Sequence, residues 1–300
     1  MGQCLWICGT DDRLPRHASG ASRVRSGTLP CLLSVALLAL PALAEEPAQK
    51  SEGQPEELRY LLGLRVSSGP EYPGSRRQEQ GLTPLWALYW GRWRITTAGT
   101  GAMMGFGSEA ASPGPGASRD WLRGEHWKLG VGLRIDSGRD SDKAEITRGL
   151  PDVPRTLRGR VNLQVELDPK WTLSAAWSPD LLNRRGGSEL SVDLGRSLYR
   201  SRHAALTLGL GLSASDRRHL QSYFGVPEGS EAAQRLGRTY APGPGLTGAS
   251  VNLSYMQALT PRWVLVASWT EGRLLDAAAA SPIVETTRQR SASIGLAYRN

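Results

Sequence analysis

The side chains best suited to acid–base chemistry are few and widely spaced. His126, His203 and His219 follow the N-terminal segment, and Ser201 is two positions from His203. A nucleophilic serine site also needs a third group that orients the histidine, and no Gly-x-Ser-x-Gly turn occurs. His126 opens a predicted strand as an interfacial polar residue, and His219 lies in a long loop, where histidines are usually solvated. The histidines therefore favour no catalytic site.

A second candidate for chemistry is the acidic cluster of Asp140, Asp142 and Glu145. Carboxylates at this spacing could hold a divalent cation, but the glycine and terminal glutamate of a calcium-binding loop are missing. The Gly-Pro-Gly triplets at 114–116 and 243–245 are followed by neither lysine nor a helix start, so they predict turns rather than phosphate loops. We expect no catalytic residue, no cofactor and no metal ion, and therefore no enzyme.

The segments that would position any functional group alternate between polar and apolar residues. Arg160, Asn162 and Gln164 alternate with Val161 and Leu163, and the same pattern occurs in 128–135, 189–195, 206–213 and 293–299. Because successive side chains of a strand point to opposite faces, each segment has one apolar and one polar face. No segment shows an equally clear helical period.

Two all-β folds place such faces differently. In a soluble sandwich the apolar faces pack together, whereas in a membrane barrel they face lipid. The strand lengths, the charged inner face and the alternation of short turns with long loops favour the barrel. Aromatic residues near strand ends are typical of interfacial girdles: Trp86, Trp90, Trp93, Trp127, Trp171, Trp177, Trp263, Trp269 and Tyr298.

We predict a closed antiparallel transmembrane β-barrel of about twelve strands, with ten as the alternative. An even number places both chain ends in the periplasm. The long loops are 68–81, 137–157, 179–187, 214–245 and 272–287, and 108–124 is a further loop that departs from the alternation. The predicted strands are 59–67, 82–90, 92–99, 101–107, 125–136, 158–167, 170–178, 188–197, 202–213, 246–258, 262–271 and 288–299.

Composition excludes several other classes of protein. The 300 residues contain 36 Lys+Arg against 28 Asp+Glu, and the charge of +8 is spread along the chain, which is a weak argument for nucleic-acid binding. All cysteines lie in the first 31 residues, so a disulfide framework in the remaining chain is excluded. No uncharged apolar run of about 18 residues follows the N-terminal segment, which excludes a helical membrane protein.

The N-terminus has the three parts of a secretory signal. Arg23 and Arg25 precede the uncharged run 26–44, whose apolar core is Leu32–Leu40, and Ala42-Leu43-Ala44 is a small-x-small cleavage site. We therefore predict three parts: an N-terminal extension with a cleavable signal peptide at 1–44, a flexible periplasmic lead-in at 45–57, and the barrel at 58–300.

Several segments between the predicted strands, and the end of the last strand, carry recognisable motifs. The segments are 69–75 (GPEYPGS), 138–139 with 148–153 (RGLPDV), 222–226 (SYFGV) with 240–246, 274–276 with 281–284 (SPIV), and 295–299 (GLAYR). In this order, over about 58–300, they resemble the MltA-interacting protein (MipA/OmpV) family of Gram-negative outer membranes. One residue departs from the pattern: Asn300 stands where the family usually has phenylalanine.

The resemblance implies a non-enzymatic outer-membrane scaffold that joins a lytic murein transglycosylase to a penicillin-binding murein synthase. Such a role places the contact surface on the periplasmic turns. Charged residues in these turns also keep that end of the barrel hydrated and anchor it at lipid headgroups. The possible contact residues are Arg92, Asp168, Lys170, Arg200, Arg202 and Arg262.

Three alternatives remain open at the level of sequence. A polar inner face also suits a small porin for polar solutes, although a barrel of about twelve strands can be filled by its own side chains. The long loop 214–245 suits a surface adhesin. A soluble periplasmic β protein is the third alternative.

Overall fold

A computed structural model describes residues 58–97 and 115–300, and within these two ranges twelve strands form a closed barrel. Neighbouring strands pair antiparallel, and β1 pairs with β12 to close the ring, with Leu62 opposite Tyr298. The predicted fold is confirmed. The strands are β1 (Arg59–Pro70), β2 (Gln78–Trp90), β3 (Trp93–Thr96), β4 (Gly116–Arg123), β5 (Trp127–Asp136), β6 (Thr156–Asp168), β7 (Trp171–Pro179), β8 (Ser188–Arg200), β9 (Ala204–Ser215), β10 (Gly245–Ala258), β11 (Trp263–Leu274) and β12 (Arg288–Arg299).

The alternation of the sequence becomes the two faces of the barrel wall. In β1, Leu62, Leu64 and Val66 point outward and are each more than half exposed, whereas the preceding residue, Leu61, is buried inside. Large apolar side chains are exposed outward all around the ring, an arrangement suited to lipid rather than water. No helix of the described residues is long and apolar enough to cross a membrane.

The outer face carries the predicted aromatic residues and one more. Trp90, Trp93 and Trp263 are more than 40% exposed near the ends of their strands. Trp121 is 64% exposed and joins them, although the sequence placed its segment in a loop. These side chains suit the interfacial girdle of a membrane barrel.

The fourth strand differs from its prediction. The expected strand 101–107 lies outside the described residues, as do the predicted signal peptide 1–44 and lead-in 45–57. The expectation of a loop over all of 108–124 was wrong, because β4 forms at Gly116–Arg123. Alternation fails there because Arg119 faces outward, over the ring of Trp93, and the register shifts between Asp120 and Leu122. With β4 in this place, short and long connections alternate along the sequence from β1 to β12.

The long-loop end contains short helices as well as loops. They are α1 (Arg217–Phe224), α2 (Glu231–Leu236) and α3 (Asp276–Ala279). The Asp216 side chain caps α1 by accepting from the His219 amide at 2.7 Å, and Ser230 Oγ caps α2 by accepting from the Ala233 amide at 3.1 Å. These helices are too short to show a period, so the sequence predicted only loops.

The loops 137–155, 216–244 and 275–287, which we call the cap, have small apolar cores of their own. One core contains Leu150, Val226, Ala232, Ala233 and Ile283. The other contains Leu220, Phe224 and Ala278. The cap is therefore a packed structure that covers the long-loop end of the barrel.

The inner face near the short-turn end is apolar. Leu61, Leu85, Ala87, Tyr89 and Ala297 form a buried cluster inside the ring. Side chains therefore fill part of the lumen at this end, as expected for a barrel of modest diameter.

Candidate functional site

The six residues predicted to contact a partner all lie at the short-turn end of the barrel, and all six are exposed. We call this set the short-turn rim. It comprises Arg92 between β2 and β3, Asp168 and Lys170 around the β6–β7 turn, Arg200 and Arg202 around the β8–β9 turn, and Arg262 before β11.

The only acidic member of the short-turn rim shapes its own turn. Asp168 Oδ1 accepts hydrogen bonds from the amides of Lys170 at 2.6 Å and Trp171 at 2.9 Å. The five basic side chains make no hydrogen bond or ion pair with any residue in the described ranges. The short-turn rim is therefore a cationic ring whose donors point to solvent, and its contact role stays a prediction.

Asn300, the residue that departs from the family pattern, closes the barrel seam next to the short-turn rim. Its Oδ1 accepts from the Tyr60 amide at 2.8 Å, and its Nδ2 donates to the Leu58 carbonyl at 2.9 Å. The amide side chain thus continues the β12–β1 hydrogen bonding past the last strand residue. Sequence reasoning noticed the exception but missed this role.

A charged centre lies at the opposite end of the lumen, around Arg158. This side chain is fully buried, and its Nε lies 2.6 Å from Asp136 Oδ2. Its terminal nitrogens donate to the carbonyls of Ser178 at 3.1 Å, Gly187 at 3.2 Å and Gly186 at 2.7 Å. One guanidinium therefore fastens the β7–β8 loop to the barrel wall.

His219 belongs to this centre, so the expectation that it is solvated was wrong. The side chain is buried, its Nδ1 lies 2.9 Å from the Gly186 carbonyl, and its Nε2 lies 3.6 Å from Glu189 Oε1. The ring stacks on Tyr223 with centroids 4.5 Å apart. The Asp216 cap orients α1 so that His219 points inward. Burial, together with the charge of Asp136, raises the pKa of Tyr223 to about 12.

The other histidines and the acidic cluster lie in ordinary surroundings. Ser201 Oγ accepts from the amides of His203 at 3.3 Å and Ala204 at 3.0 Å, so the serine shapes a turn instead of facing the imidazole. His126 is exposed beside Glu125. Among the described residues, which include Asp140, Asp142 and Glu145, no group of three or more His, Cys, Asp or Glu could hold a metal ion.

The remaining lumen carries mixed charges and a small cavity. Arg94 pairs with Asp120, and Arg134 lies 3.4 Å from Glu189. A cavity of about 190 Å³ is lined by polar groups that include Ser191, Asp193, Ser250 and Gln289. The lumen is thus polar over its middle and apolar near the short-turn end.

The segments that carry the family resemblance hold the cap together. Tyr72 Oη donates to the Ile283 carbonyl at 3.0 Å, and Ser281 Oγ donates to the Phe224 carbonyl at 2.5 Å. Burial and the charge of Glu285 raise the pKa of Tyr72. A cavity of about 620 Å³ lies between these loops, lined by both acidic and basic side chains.

Comparison with known proteins confirms the resemblance. Residues 62–300 match the family described as MltA-interacting protein MipA. No curated protein matches the chain.

Solved structures similar to the chain include bacterial barrels of low sequence identity. A KdgM porin is 10% identical with a TM-score of 0.38, covering 79% of this chain and 98% of that chain. A NanC porin is 11% identical with a TM-score of 0.40, covering 78% and 98%. An outer-membrane channel from Pseudomonas putida is 10% identical with a TM-score of 0.40, covering 86% and 99%. At these sequence identities and TM-scores, the structural similarity carries no information about the function of this chain.

Proposed function

The chain belongs to the MltA-interacting protein MipA family and is an outer-membrane β-barrel protein, and we propose that it is a scaffold for murein enzymes. In this proposal the barrel has no catalytic activity of its own. It holds a lytic murein transglycosylase close to a penicillin-binding murein synthase by binding both from the periplasmic side.

The observation that supports the proposal is the cationic short-turn rim. In outer-membrane barrels short turns face the periplasm, where murein lies, and long loops face outward. The exposed arginines and lysine have no intramolecular partner in the described chain, so their donors are free for an acidic surface of another protein. The family description names an interaction with MltA, which is consistent with such a partner.

Charge reversal at the short-turn rim tests the proposal. The purified protein is immobilised in detergent, and its binding to a purified lytic murein transglycosylase is measured. We expect Arg202→Glu/Arg262→Glu to weaken binding by about 10-fold or more, because like charges across an interface are costly. The matched control is Arg148→Glu/Arg238→Glu, which reverses two exposed arginines in the long loops. Equal binding by both variants and the native protein would reject the rim as the contact surface.

A channel for polar solutes is the second candidate function, favoured by the polar middle of the lumen. The buried apolar cluster near the short-turn end and the packed cap oppose it. Conductance across a planar bilayer separates the two functions. A steady current supports the channel, whereas no current combined with binding of the murein enzyme supports the scaffold.

A further inference from the structure

Five exposed arginines gather at the long-loop end, far along the strands from the short-turn rim. Two contacts connect the segments that carry them: Arg184 Nη1 donates to the Arg155 carbonyl at 3.3 Å, and Arg218 donates to the side-chain oxygen of Asn183. We call this set the arginine patch. It comprises Arg155 before β6, Arg184 and Arg185 in the β7–β8 loop, and Arg217 and Arg218 at the start of α1.

The two carboxylates in the segments that carry the arginine patch, Asp180 and Asp216, bond to backbone amides instead of pairing with the arginines. Asp180 accepts from the amides of Gly186 at 2.8 Å and Leu182 at 3.1 Å. Asp216 accepts from the amides of His219 at 2.7 Å and Ser188 at 2.9 Å. Across residues 58–97 and 115–300 none of the five arginines forms an ion pair. The five guanidinium groups outnumber the two carboxylates of these segments, so the patch keeps a net positive charge.

The β7–β8 loop, which carries Arg184 and Arg185, also lies against the lipid-facing wall. Leu181 and Leu182 are 52% and 50% exposed. A Cβ added at Gly159 would lie 3.2 Å from Leu181 Cδ2, and Gly159 shares the outward row of β6 with Val161. Leu181 thus covers the outer surface of β6 where that strand has no side chain. Arg184 and Arg185 follow Leu182 in the same loop, so charged and apolar side chains are neighbours in this segment.

The backbone of this loop is fixed rather than free. Asn183 and Arg185 have φ values of 55° and 71°, in the left-handed region that residues other than glycine adopt uncommonly. Arg158 holds the loop from inside through the carbonyls of Gly186 and Gly187. A loop held in an uncommon conformation by buried bonds is preorganised for a ligand.

We propose that the arginine patch binds the phosphate groups of a phosphorylated lipid of the outer leaflet, while Leu181 and Leu182 contact its acyl chains. The planar guanidinium donates two parallel hydrogen bonds to phosphate, and basic clusters beside a membrane surface recognise anionic headgroups. The charged arginine patch matches the headgroup of such a lipid, and the apolar Leu181 and Leu182 match its acyl chains. This site is independent of the scaffold function at the other end of the barrel.

The test measures lipid binding by the purified full-length barrel in neutral detergent. The probes are lipid A with its phosphates, the same lipid dephosphorylated, and inorganic phosphate as a competitor. A basic residue near a membrane surface contributes about fivefold to binding, so Arg155→Gln/Arg184→Gln/Arg217→Gln should weaken binding of the phosphorylated lipid about 100-fold. Binding of the dephosphorylated lipid should not change between native protein and variant.

The matched control is Arg288→Gln/Arg290→Gln, on β12 at the same end of the barrel. Both arginines are already paired with Glu271, at 2.7 and 3.1 Å, so this variant should bind the phosphorylated lipid as the native protein does. Heat-modifiable gel mobility verifies that each variant folds, and Arg155→Lys/Arg184→Lys/Arg217→Lys should retain most binding because it keeps the charge. Unchanged binding by the glutamine variant, an equal loss in the control, or complete displacement by inorganic phosphate would each overturn the proposal.

Discussion

Replacing Arg158 by methionine should release the β7–β8 loop from the barrel wall. The arginine is fully buried, and its guanidinium bonds to Asp136 and to the carbonyls of Gly186 and Gly187. Methionine fills a similar volume but removes the guanidinium donors, so Asp136 keeps the Gly138 amide and the Tyr223 hydroxyl, and the Gly187 carbonyl keeps the Asp180 amide. The Asp136 carboxylate then loses the one cation that the described residues place within ion-pair distance of it.

The size of the effect follows from burial. Removing one partner of a buried ion pair costs about 3–5 kcal/mol. The side chain of Asp136 is 19% exposed and that of Glu189, 3.6 Å from Arg158, is 38% exposed, so solvent screens part of the loss. We therefore expect the lower end, about 3 kcal/mol, which corresponds to an open population raised about 150-fold.

Hydrogen exchange measures this opening directly. The Asp180 amide donates to the Gly187 carbonyl and the Leu181 amide to the Leu157 carbonyl, both at 2.9 Å, so these two amides report on the loop. The Val226 amide, bonded to the Tyr240 carbonyl at 2.8 Å elsewhere in the cap, serves as the internal reference. In Arg158→Met, exchange should accelerate about 150-fold at Asp180 and Leu181 and little at Val226.

A matched variant separates this role from a general effect of removing a buried arginine. Arg134 is also buried but has one long ion pair, 3.4 Å to Glu189, so Arg134→Met should accelerate loop exchange by less than about 10-fold. Arg158→Lys should give an intermediate rate, because lysine keeps the charge without the forked donors. Equal rates in Arg158→Met and Arg134→Met would refute the idea that Arg158 fastens the loop.

Three further predictions concern the seam and the long-loop end. Asn300→Ala removes two exposed hydrogen bonds, to the Tyr60 amide and the Leu58 carbonyl, and should lower the free energy of unfolding in lipid vesicles by about 1 kcal/mol. Asn300→Asp keeps the acceptor for the Tyr60 amide and should lose less stability. An unchanged urea midpoint in Asn300→Ala would contradict the seam role. Burial opposes ionisation of Asp180, but hydrogen bonds from Thr156 and three backbone amides outweigh it and hold its pKa below the ordinary value. Its stabilising effect is therefore present above about pH 4 and is lost as the pH falls further, so acid should expose the β7–β8 loop to an acid-stable protease in native protein but much less steeply in Asp180→Asn. Because the folded pKa of Tyr223 is raised to about 12 from about 10, its contribution should be full below pH 10 and lost as the pH rises towards 12. The alkaline absorbance titration of the folded barrel should lose a component near pH 12 in Tyr223→Phe.

Sequence alone could predict the barrel because alternation is a local property. Val161 and Leu163 face lipid because they alternate with Asn162 and Gln164, and no distant residue is needed to see this. β4 was misplaced for the same reason, since the outward Arg119 and the register shift at Asp120 break the local pattern. A local rule fails where a strand contains a bulge.

The Arg158 centre could not be predicted in this way. Alternation places Arg158 on the inner face, but its partners come from a loop 28 residues away and from His219, 61 residues away. The burial of His219 depends on α1, which is capped by Asp216 and too short for its period to stand out. Only the folded loops bring these groups together, so sequence reasoning placed His219 in solvent.

Most of the segments that identify the family lie at the long-loop end, opposite the residues proposed to bind a partner, and the closing segment 295–299 lies on β12 near the short-turn rim. Tyr72, Phe224 and Ser281 belong to the identifying segments, and each forms a bond that holds the loops at the long-loop end together. Gly138 lies in another such segment with φ 71°, and a Cβ there would lie 1.9 Å from the Val153 carbonyl oxygen, so packing alone requires this glycine. The identifying segments at the long-loop end are therefore explained by the architecture of the loops, whereas the short-turn rim contains none of the loop motifs. Membership of the family consequently fixes the barrel and its loops, while in the scaffold that we propose the choice of periplasmic partner depends on turn residues that can change without disturbing either.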